Sequence, residues 1–181
     1  MPNLAMQINK TTIFLICCIF TLIAISCNAA ELGQVTGLPI NRYVSLKSDE
    51  IKLRVGPGQK YQTSYIYQCK NCPVKIIAEF DNWRKIQDKD GTQGWVHQSL
   101  LSGVNYAIIK DNKLAANSIL KKEITNNHSL IFKAPNEGSS PIAKVEFDTI
   151  VKVRKCENEW CRVDAGNYTG WIQKINLWGV E

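Results

Sequence analysis

The sequence predicts an all-β protein built from two tandem copies of one small barrel, and three observations predict it. First, one pattern occurs twice: a Trp ends a turn and opens a short strand, a Gly turn follows, and Gly-Trp opens the next strand. The first copy reads Asp81-Asn82-Trp83-Arg84-Lys85-Ile86, Asp90-Gly91 and Gly94-Trp95-Val96; the second reads Glu159-Trp160-Cys161-Arg162-Val163, Gly166-Asn167 and Gly170-Trp171-Ile172. Second, apolar residues between the turns recur with the period of a half-buried strand, as in Ile51-Lys52-Leu53-Arg54-Val55. Third, setting aside the first 30 residues leaves 151, room for two domains of about 60 residues and almost no chain for a catalytic domain.

Residues 1–30 read as a secretory signal. A short polar start carries one charge at Lys10, an uncharged run extends from Ile13 to Ile25, and Cys27-Asn28-Ala29-Ala30 supplies small residues for a peptidase. The run is shorter than the roughly 20 residues a spanning helix needs. Cleavage after Ala29 or Ala30 is therefore expected. An uncleaved anchor and lipidation of Cys27 are the alternatives, and a membrane is a partner only through one of these. The net charge of +6 falls to +5 without this segment, with no run of five like charges. That is a mildly basic soluble surface and not the footprint of a nucleic-acid binder.

The elements follow in order. Residues 31–42 form a leader with Gly33, Gly37 and Pro39. In the first domain, residues 43–103, Ile51 to Val55 is a strand ended by Gly56-Pro57-Gly58, and Tyr65 to Tyr67 is a second. Val74 to Phe80 is long and β-branched enough to be a central strand, and Asp81-Asn82 turns it into Trp83 to Gln87. Asp88 to Gly91 turns again into Gln93 to His97, and Ser99-Leu100-Leu101 closes the barrel after one helical turn. Residues 104–127 read as a linker, with an extended exit strand from Val104 to Ile109 and a short helix near Ala115 to Ile124. The second domain, residues 128–180, repeats the order: Leu130 to Pro135, Pro141 to Val145, a central strand from Thr149 to Lys155, a turn at Glu157-Asn158-Glu159, a hairpin from Trp160 to Ile172, and Leu177-Trp178-Gly179.

Four cysteines remain after the signal: Cys69, Cys72, Cys156 and Cys161. In an exported protein they are expected as disulfides. Cys156 and Cys161 face each other across a hairpin if its loop has four residues, and Cys69 and Cys72 can bridge around Lys70-Asn71. A single four-thiolate zinc site and a redox pair at Cys69 and Cys72 are the competing readings; the first needs two hairpin ends to converge, the second a helix start. A Cys with His97 suggests thiol hydrolysis, but the strand context lacks the elbow or helix start of a nucleophile. No G-x-S-x-G, H-E-x-x-H, P-loop or G-x-G-x-x-G occurs, and Asp88 and Asp90 read as turn residues, so no catalytic residue, metal or cofactor is expected. Trp95 and Trp171, each beside a Gly, are expected to fill the cores, where one Trp burying roughly 200 Å² contributes at most about 5 kcal/mol.

Leu53-Arg54-Val55-Gly56-Pro57-Gly58, Pro73-Val74, Ala78 to Ile86 and Asp90 to Gly103 together resemble the bacterial SH3-like family of exported proteins. The likeness covers about residues 43 to 180 and is closer in the first copy. It implies a five-stranded β-barrel, often in tandem, at the cell envelope, periplasmic or extracellular, and related modules bind wall peptides or target wall hydrolases. It also places Cys156 and Cys161 where second copies of such proteins commonly hold a pair flanking the turn; the pattern does not require Cys69 and Cys72. In SH3-like folds, aromatic groups at the start of the strand after this turn line a groove for extended peptides. That makes Trp83 the candidate ligand contact, with Tyr61, Tyr65 and Tyr67 as neighbours, and Trp160 with Tyr168 the counterpart. The expected function is a non-catalytic envelope module recognising extended peptide, a peptidoglycan stem or a protein tail. A structural or assembly partner of another envelope protein is the alternative, and a thiol redox or zinc protein the third reading.

Overall fold

In the computed structural model, residues 31–110 and 128–181 are described. The secretory segment read in residues 1–30 and the short helix read near Ala115 to Ile124 lie outside the described residues. Each module is one antiparallel sheet of seven strands curled around its own core. The first is formed by β1 (Tyr43–Leu46), β2 (Ile51–Arg54), β3 (Thr63–Tyr67), β4 (Pro73–Phe80), β5 (Trp83–Gln87), β6 (Gln93–His97) and β7 (Leu101–Ser102). The second is formed by β8 (Tyr106–Ile109), β9 (His128–Phe132), β10 (Pro141–Glu146), β11 (Ile150–Glu157), β12 (Trp160–Ala165), β13 (Tyr168–Gln173) and β14 (Leu177–Trp178). The strand orders, β3-β2-β6-β5-β4-β1-β7 and β10-β9-β13-β12-β11-β8-β14, are the same order shifted by seven, so the duplication seen in sequence is a duplication of topology. We call the two modules barrel 1 and barrel 2.

The hairpins form where the turn residues require them. Asp81 (φ 47°) and Asn158 (φ 49°) each take a left-handed backbone that Asp and Asn tolerate, closing two-residue turns between Phe80 and Trp83 and between Glu157 and Trp160. The helical turn expected near Ser99 is a 3-10 turn at Gln98–Leu100, repeated at Lys174–Asn176.

Two strands depart from the sequence reading. Tyr43–Leu46, too short to show a period, pairs with both β4 and β7. The exit strand read from Val104 to Ile109 is β8, which pairs with β11 and β14 and belongs to the second sheet. Its partners lie tens of residues downstream, so nothing local marks which module owns it. The five strands implied by the resemblance thus become seven through β1 and β7, and likewise β8 and β14.

The cores are separate and mostly aliphatic. Barrel 1 buries Leu46, Ile51, Leu53, Val74, Ile76, Ile86 and Val96, and barrel 2 buries Ile109, Ile131, Val151, Val153, Val163, Ile172 and Leu177. None of the five tryptophans is among the buried core residues, which corrects the expectation that Trp95 and Trp171 fill the barrels. The glycine explains why. A Cβ at Gly94 would lie 2.5 Å from the Leu53 side chain, and one at Gly170 2.5 Å from Ile131, so each glycine faces inward against the neighbouring strand. Side chains alternate along a strand, and the next residue, the Trp, faces out.

Glu31–Glu181 clusters as one compact unit, and the two barrels touch within it. Tyr43 of β1 meets Trp178 of β14 edge-on at 5.3 Å. Lys89 in the β5–β6 turn pairs with Asp148 in the β10–β11 turn at 3.2 Å, and carboxylates on both sides hold its ammonium pKa above the ordinary value.

Candidate binding cleft

On barrel 1 the outward side of β2, β5 and β6 carries Lys52, Arg54, Trp83, Lys85, Trp95 and His97, because Ile51, Leu53, Arg84, Ile86, Gly94 and Val96 take the inward positions. Cross-strand pairing aligns three rings: Phe80 opposes Trp83, and Trp83 opposes His97 at 5.6 Å, edge-on. Beside this row lies a cleft of about 270 Å³ lined by Glu50, Ile51, Lys52, Arg54, Gln59, Trp83, His97 and Leu100. Its far wall is the β2–β3 loop. Arg54 Nη1 donates to the Tyr61 carbonyl at 2.7 Å, and the Tyr61 ring lies against Gly56, where a Cβ would come within 2.5 Å of it.

His97 is held from its own 3-10 turn. His97 Nδ1 is engaged by its own turn, accepting from the Ser99 amide at 3.3 Å with the Ser99 hydroxyl 2.8 Å away; with Nδ1 accepting there, the ring's N–H is on Nε2. The cleft therefore offers two cations, a ring N–H, an indole wall and one carboxylate at Glu50. Among the described residues, no carboxylate pairs with Lys52 or Arg54.

The structure sorts the sequence-read aromatic residues. Trp83 lines the cleft, and Tyr61 shapes its loop wall. Tyr65 and Tyr67 do not join Trp83, which corrects their reading as its neighbours. They oppose Leu53 and Ile51, because their spacing of two puts both on the same side of the sheet as those core residues, where Tyr67 is buried and Tyr65 stays half exposed at the edge strand. Tyr67 is buried and its hydroxyl donates to Asp88 at 3.0 Å; burial, with the Asp88 carboxylate, pushes its phenol above the ordinary range. Tyr65 packs edge-on to it at 4.9 Å. In barrel 2, Trp160 pairs with Gln173 and Tyr168 with Ala165, at opposite ends of one ladder, so those two rings do not meet either.

Barrel 2 has the corresponding face but not the cleft's chemistry. Arg54 opposes Trp95 as Phe132 opposes Trp171, and Leu53 meets Gly94 as Ile131 meets Gly170, which fixes the residue-for-residue alignment. Phe132 stands edge-on to Trp160 at 5.7 Å where barrel 1 has Arg54. Leu130 replaces Lys52, and Gln173, in the place of His97, donates to Glu137 at 3.0 Å.

The cysteines form two disulfides, Cys69–Cys72 with Cα atoms 5.6 Å apart and Cys156–Cys161 at 4.0 Å, one in each barrel. The thiolates that a shared zinc site or a reduced redox pair would need are thereby engaged.

Sequence reasoning missed two features. Phe80 is exposed and extends the ring row, but it ends an apolar strand and gave no sign of its face. The other is a buried ionic cluster at the end of barrel 1. The Glu79 side chain is fully buried and accepts from Arg42 Nη2 at 2.7 Å, Thr36 Oγ1 at 2.8 Å and the Thr36 amide at 3.0 Å. Arg84 Nε lies 3.6 Å from the same carboxylate, and its other nitrogens donate to the Asp81 and Trp83 carbonyls and to Gln98 Oε1. Burial works against the charge, but these hydrogen bonds and the Arg84 charge win and hold the Glu79 carboxyl at about 2. The leader is thus docked onto the barrel rather than passing by it.

Compared with known proteins, residues 47–103 and 126–179 each match the sequence profile of the bacterial SH3 domain. No curated protein matches the chain. Solved structures similar to it include NlpC2 from Trichomonas vaginalis, 12% identical, covering 76% of this chain and 48% of that one at a TM-score of 0.32. NlpC1 from the same organism is 11% identical, with 81% and 48% covered and a TM-score of 0.33. An NlpC/P60 family protein from Bacillus cereus is 10% identical, with 75% and 55% covered and a TM-score of 0.31. The chain spans about half the length of these structures.

Proposed function

The chain belongs to the bacterial SH3 domain family, and from that premise we propose that it is a non-catalytic binding module of the bacterial envelope that recognises an extended peptide, from the wall or from a protein partner. The observation that carries this reading is the barrel 1 cleft, where Trp83 forms an apolar wall beside the His97 ring and faces Lys52 and Arg54, with which no carboxylate of the described residues pairs. An apolar wall set beside solvent-facing cations offers an extended peptide both a surface for its side chains and partners for its anionic groups. Two disulfides support an oxidising compartment, in keeping with export. The test is retention on purified wall sacculi: wild type is expected to be retained and Trp83→Ala to be lost, with unchanged thermal unfolding because Trp83 is outside the core. Loss of retention in neither protein, or retention of neither, refutes it.

A second reading, as an assembly partner of another envelope protein, is favoured by the exposed apolar residues Leu32, Val35 and Leu38 clustered in the docked leader. On that reading Trp83→Ala leaves partner binding intact and Val35→Asp abolishes it.

A further inference from the structure

Resting on the peptide-binding reading above, we propose that the barrel 1 cleft holds its ligand by a free C-terminal carboxylate, that each chain takes one such end, and that barrel 2 takes none. Lys52 and Arg54 project from the same side of β2, and no carboxylate of the described residues neutralises either. Arg54 spends one nitrogen on the Tyr61 carbonyl, which fixes the guanidinium and leaves its remaining N–H groups for an anion. His97 adds a third donor through Nε2, since Nδ1 is engaged by the Ser99 amide and hydroxyl. Glu50 is the one acid lining the cleft, so cations outnumber it two to one and an anionic group is favoured over a cationic one.

The size of the cleft selects an end over the middle of a strand. At about 270 Å³ it falls just short of the range of about 300–1,000 Å³ for sites that engulf a small molecule. Two or three small residues fit, with the carboxylate between Arg54, Lys52 and His97 and the backbone along Trp83 and Leu100. A carboxylate from an acidic side chain has the same chemistry but brings two flanking chain segments that must leave past the Tyr61 loop and the Phe80–Trp83–His97 row.

Barrel 2 has lost each of these donors. Leu130 and Phe132 replace Lys52 and Arg54, Gln173 is engaged by Glu137, and Glu137 adds an acid where barrel 1 has Gln59. Repetition of the fold therefore gives one carboxylate site, not two.

The experiment is isothermal titration of the full mature chain with three alanine tetrapeptides: one with a free C-terminus, one amidated, and one amidated with Glu at the last position. We expect the free acid to bind with one site per chain and both amides at least about tenfold more weakly, the loss of one charge-assisted contact. Lys52→Gln is expected to weaken the free acid about tenfold while leaving the amide unchanged. Arg54→Gln is expected to do the same, and Lys52→Gln guards against a loop disturbed by losing the Tyr61 contact. Glu50→Gln is expected to tighten the free acid. A plain amide that binds as well as the acid, with Trp83→Ala abolishing both, overturns the carboxylate inference and leaves the peptide reading standing. Equal binding of the Glu-bearing amide overturns the choice of a chain end. Two sites per chain overturn the asymmetry. No binding of any peptide, together with no retention on sacculi, overturns both readings.

Discussion

At the cross-strand position beside its two-residue turn, barrel 1 places Glu79 opposite Arg84, and barrel 2 places Cys156 opposite Cys161. The register is the same and the bond is not. Both pairs tie together the hairpin end that the short turn leaves without a deep core. The covalent tie works alone, and Cys156 stays exposed. The ionic tie does not, because burying two charges costs more than their attraction returns unless the remaining hydrogen-bonding positions are filled. Barrel 1 fills them with the docked leader through Thr36 and Arg42, with Gln98, and with its own turn carbonyls. The leader is therefore part of barrel 1, whereas barrel 2 needs no such attachment at this end.

The outer faces differ in the same sense. Across β4, β5 and β6 barrel 1 runs Phe80, Trp83, His97; across β11, β12 and β13 barrel 2 runs Glu157, Trp160, Gln173. One Trp is kept in both, flanked by rings in one and by polar groups in the other. The duplicated frame has been kept while one copy leaves its Trp lining an open cleft and the other covers its Trp with Phe132.

The largest effect expected from breaking this comparison is at Arg84. Arg84→Ala leaves the buried Glu79 carboxylate with its Arg42 and Thr36 hydrogen bonds but without the Arg84 charge beside it, and strands Gln98 Oε1, at a cost of about 3–5 kcal/mol in urea unfolding. Amide exchange should rise first in β4 and β5, with β11 and β12 protected. Equal loss of protection in both barrels would mean that the cluster is not specific to barrel 1.

The reciprocal change is Cys156→Ser with Cys161→Ser. A loop this short contributes about 2 kcal/mol through restriction of the unfolded chain, so the loss is smaller and falls on β11 and β12. Reduction of wild type should give the same exchange pattern. A reductant that deprotects β5 instead would refute the division of labour between the two ties.

Much of this frame was legible in the residues, and the parts that were not share a physical cause. Hairpins announced themselves because Asp81 and Asn158 carry local turn chemistry, and the inward packing beside the second hairpin strand was readable from Gly94 and Gly170. The phase is the reverse of the one expected: the glycine, not the Trp after it, occupies the tight position, and alternation then sends the indole outward. Kind of side chain groups Tyr65 and Tyr67 with Trp83, while parity sets them on the side of Leu53 and Ile51, where Tyr67 is buried and Tyr65 half exposed. The Glu79–Arg84 tie was invisible in one copy, since an acid and a base in a strand look like solvated positions. Laid over the second copy, however, Glu79 falls on Cys156 and Arg84 on Cys161, and a pair that becomes a disulfide in the sister module is a pair in contact. Docking of the leader and ownership of β8 depend on contacts between residues tens of positions apart, which no local pattern encodes.

The smallest of the three effects is also the one that separates the two ties by their chemistry. Glu79→Gln keeps the shape and a hydrogen-bond acceptor for Thr36 but removes the charge, so near neutrality it should cost about 1.5 kcal/mol, the low end for a hydrogen bond to a charged group. The cost must depend on pH. Glu79 ionises at about 2 in the folded chain against an ordinary 4.5, so its charge stabilises the fold fully above the ordinary value and the contribution is lost as pH falls toward 2. Asp164, lowered by its hydrogen bonds from Thr169 and Arg154 in the face of some burial, drifts in the same direction, which is why the informative quantity is the difference between wild type and variant. Measured as urea midpoints, that difference should be widest near neutrality, narrow below about pH 4.5, and close near pH 2. The penalty for Cys156→Ser with Cys161→Ser should stay level over the same interval, because a disulfide has no proton to gain. A Glu79→Gln penalty that is flat with pH would show that the carboxylate acts in barrel 1 by shape alone, and the ionic tie would then be no different in kind from its covalent counterpart.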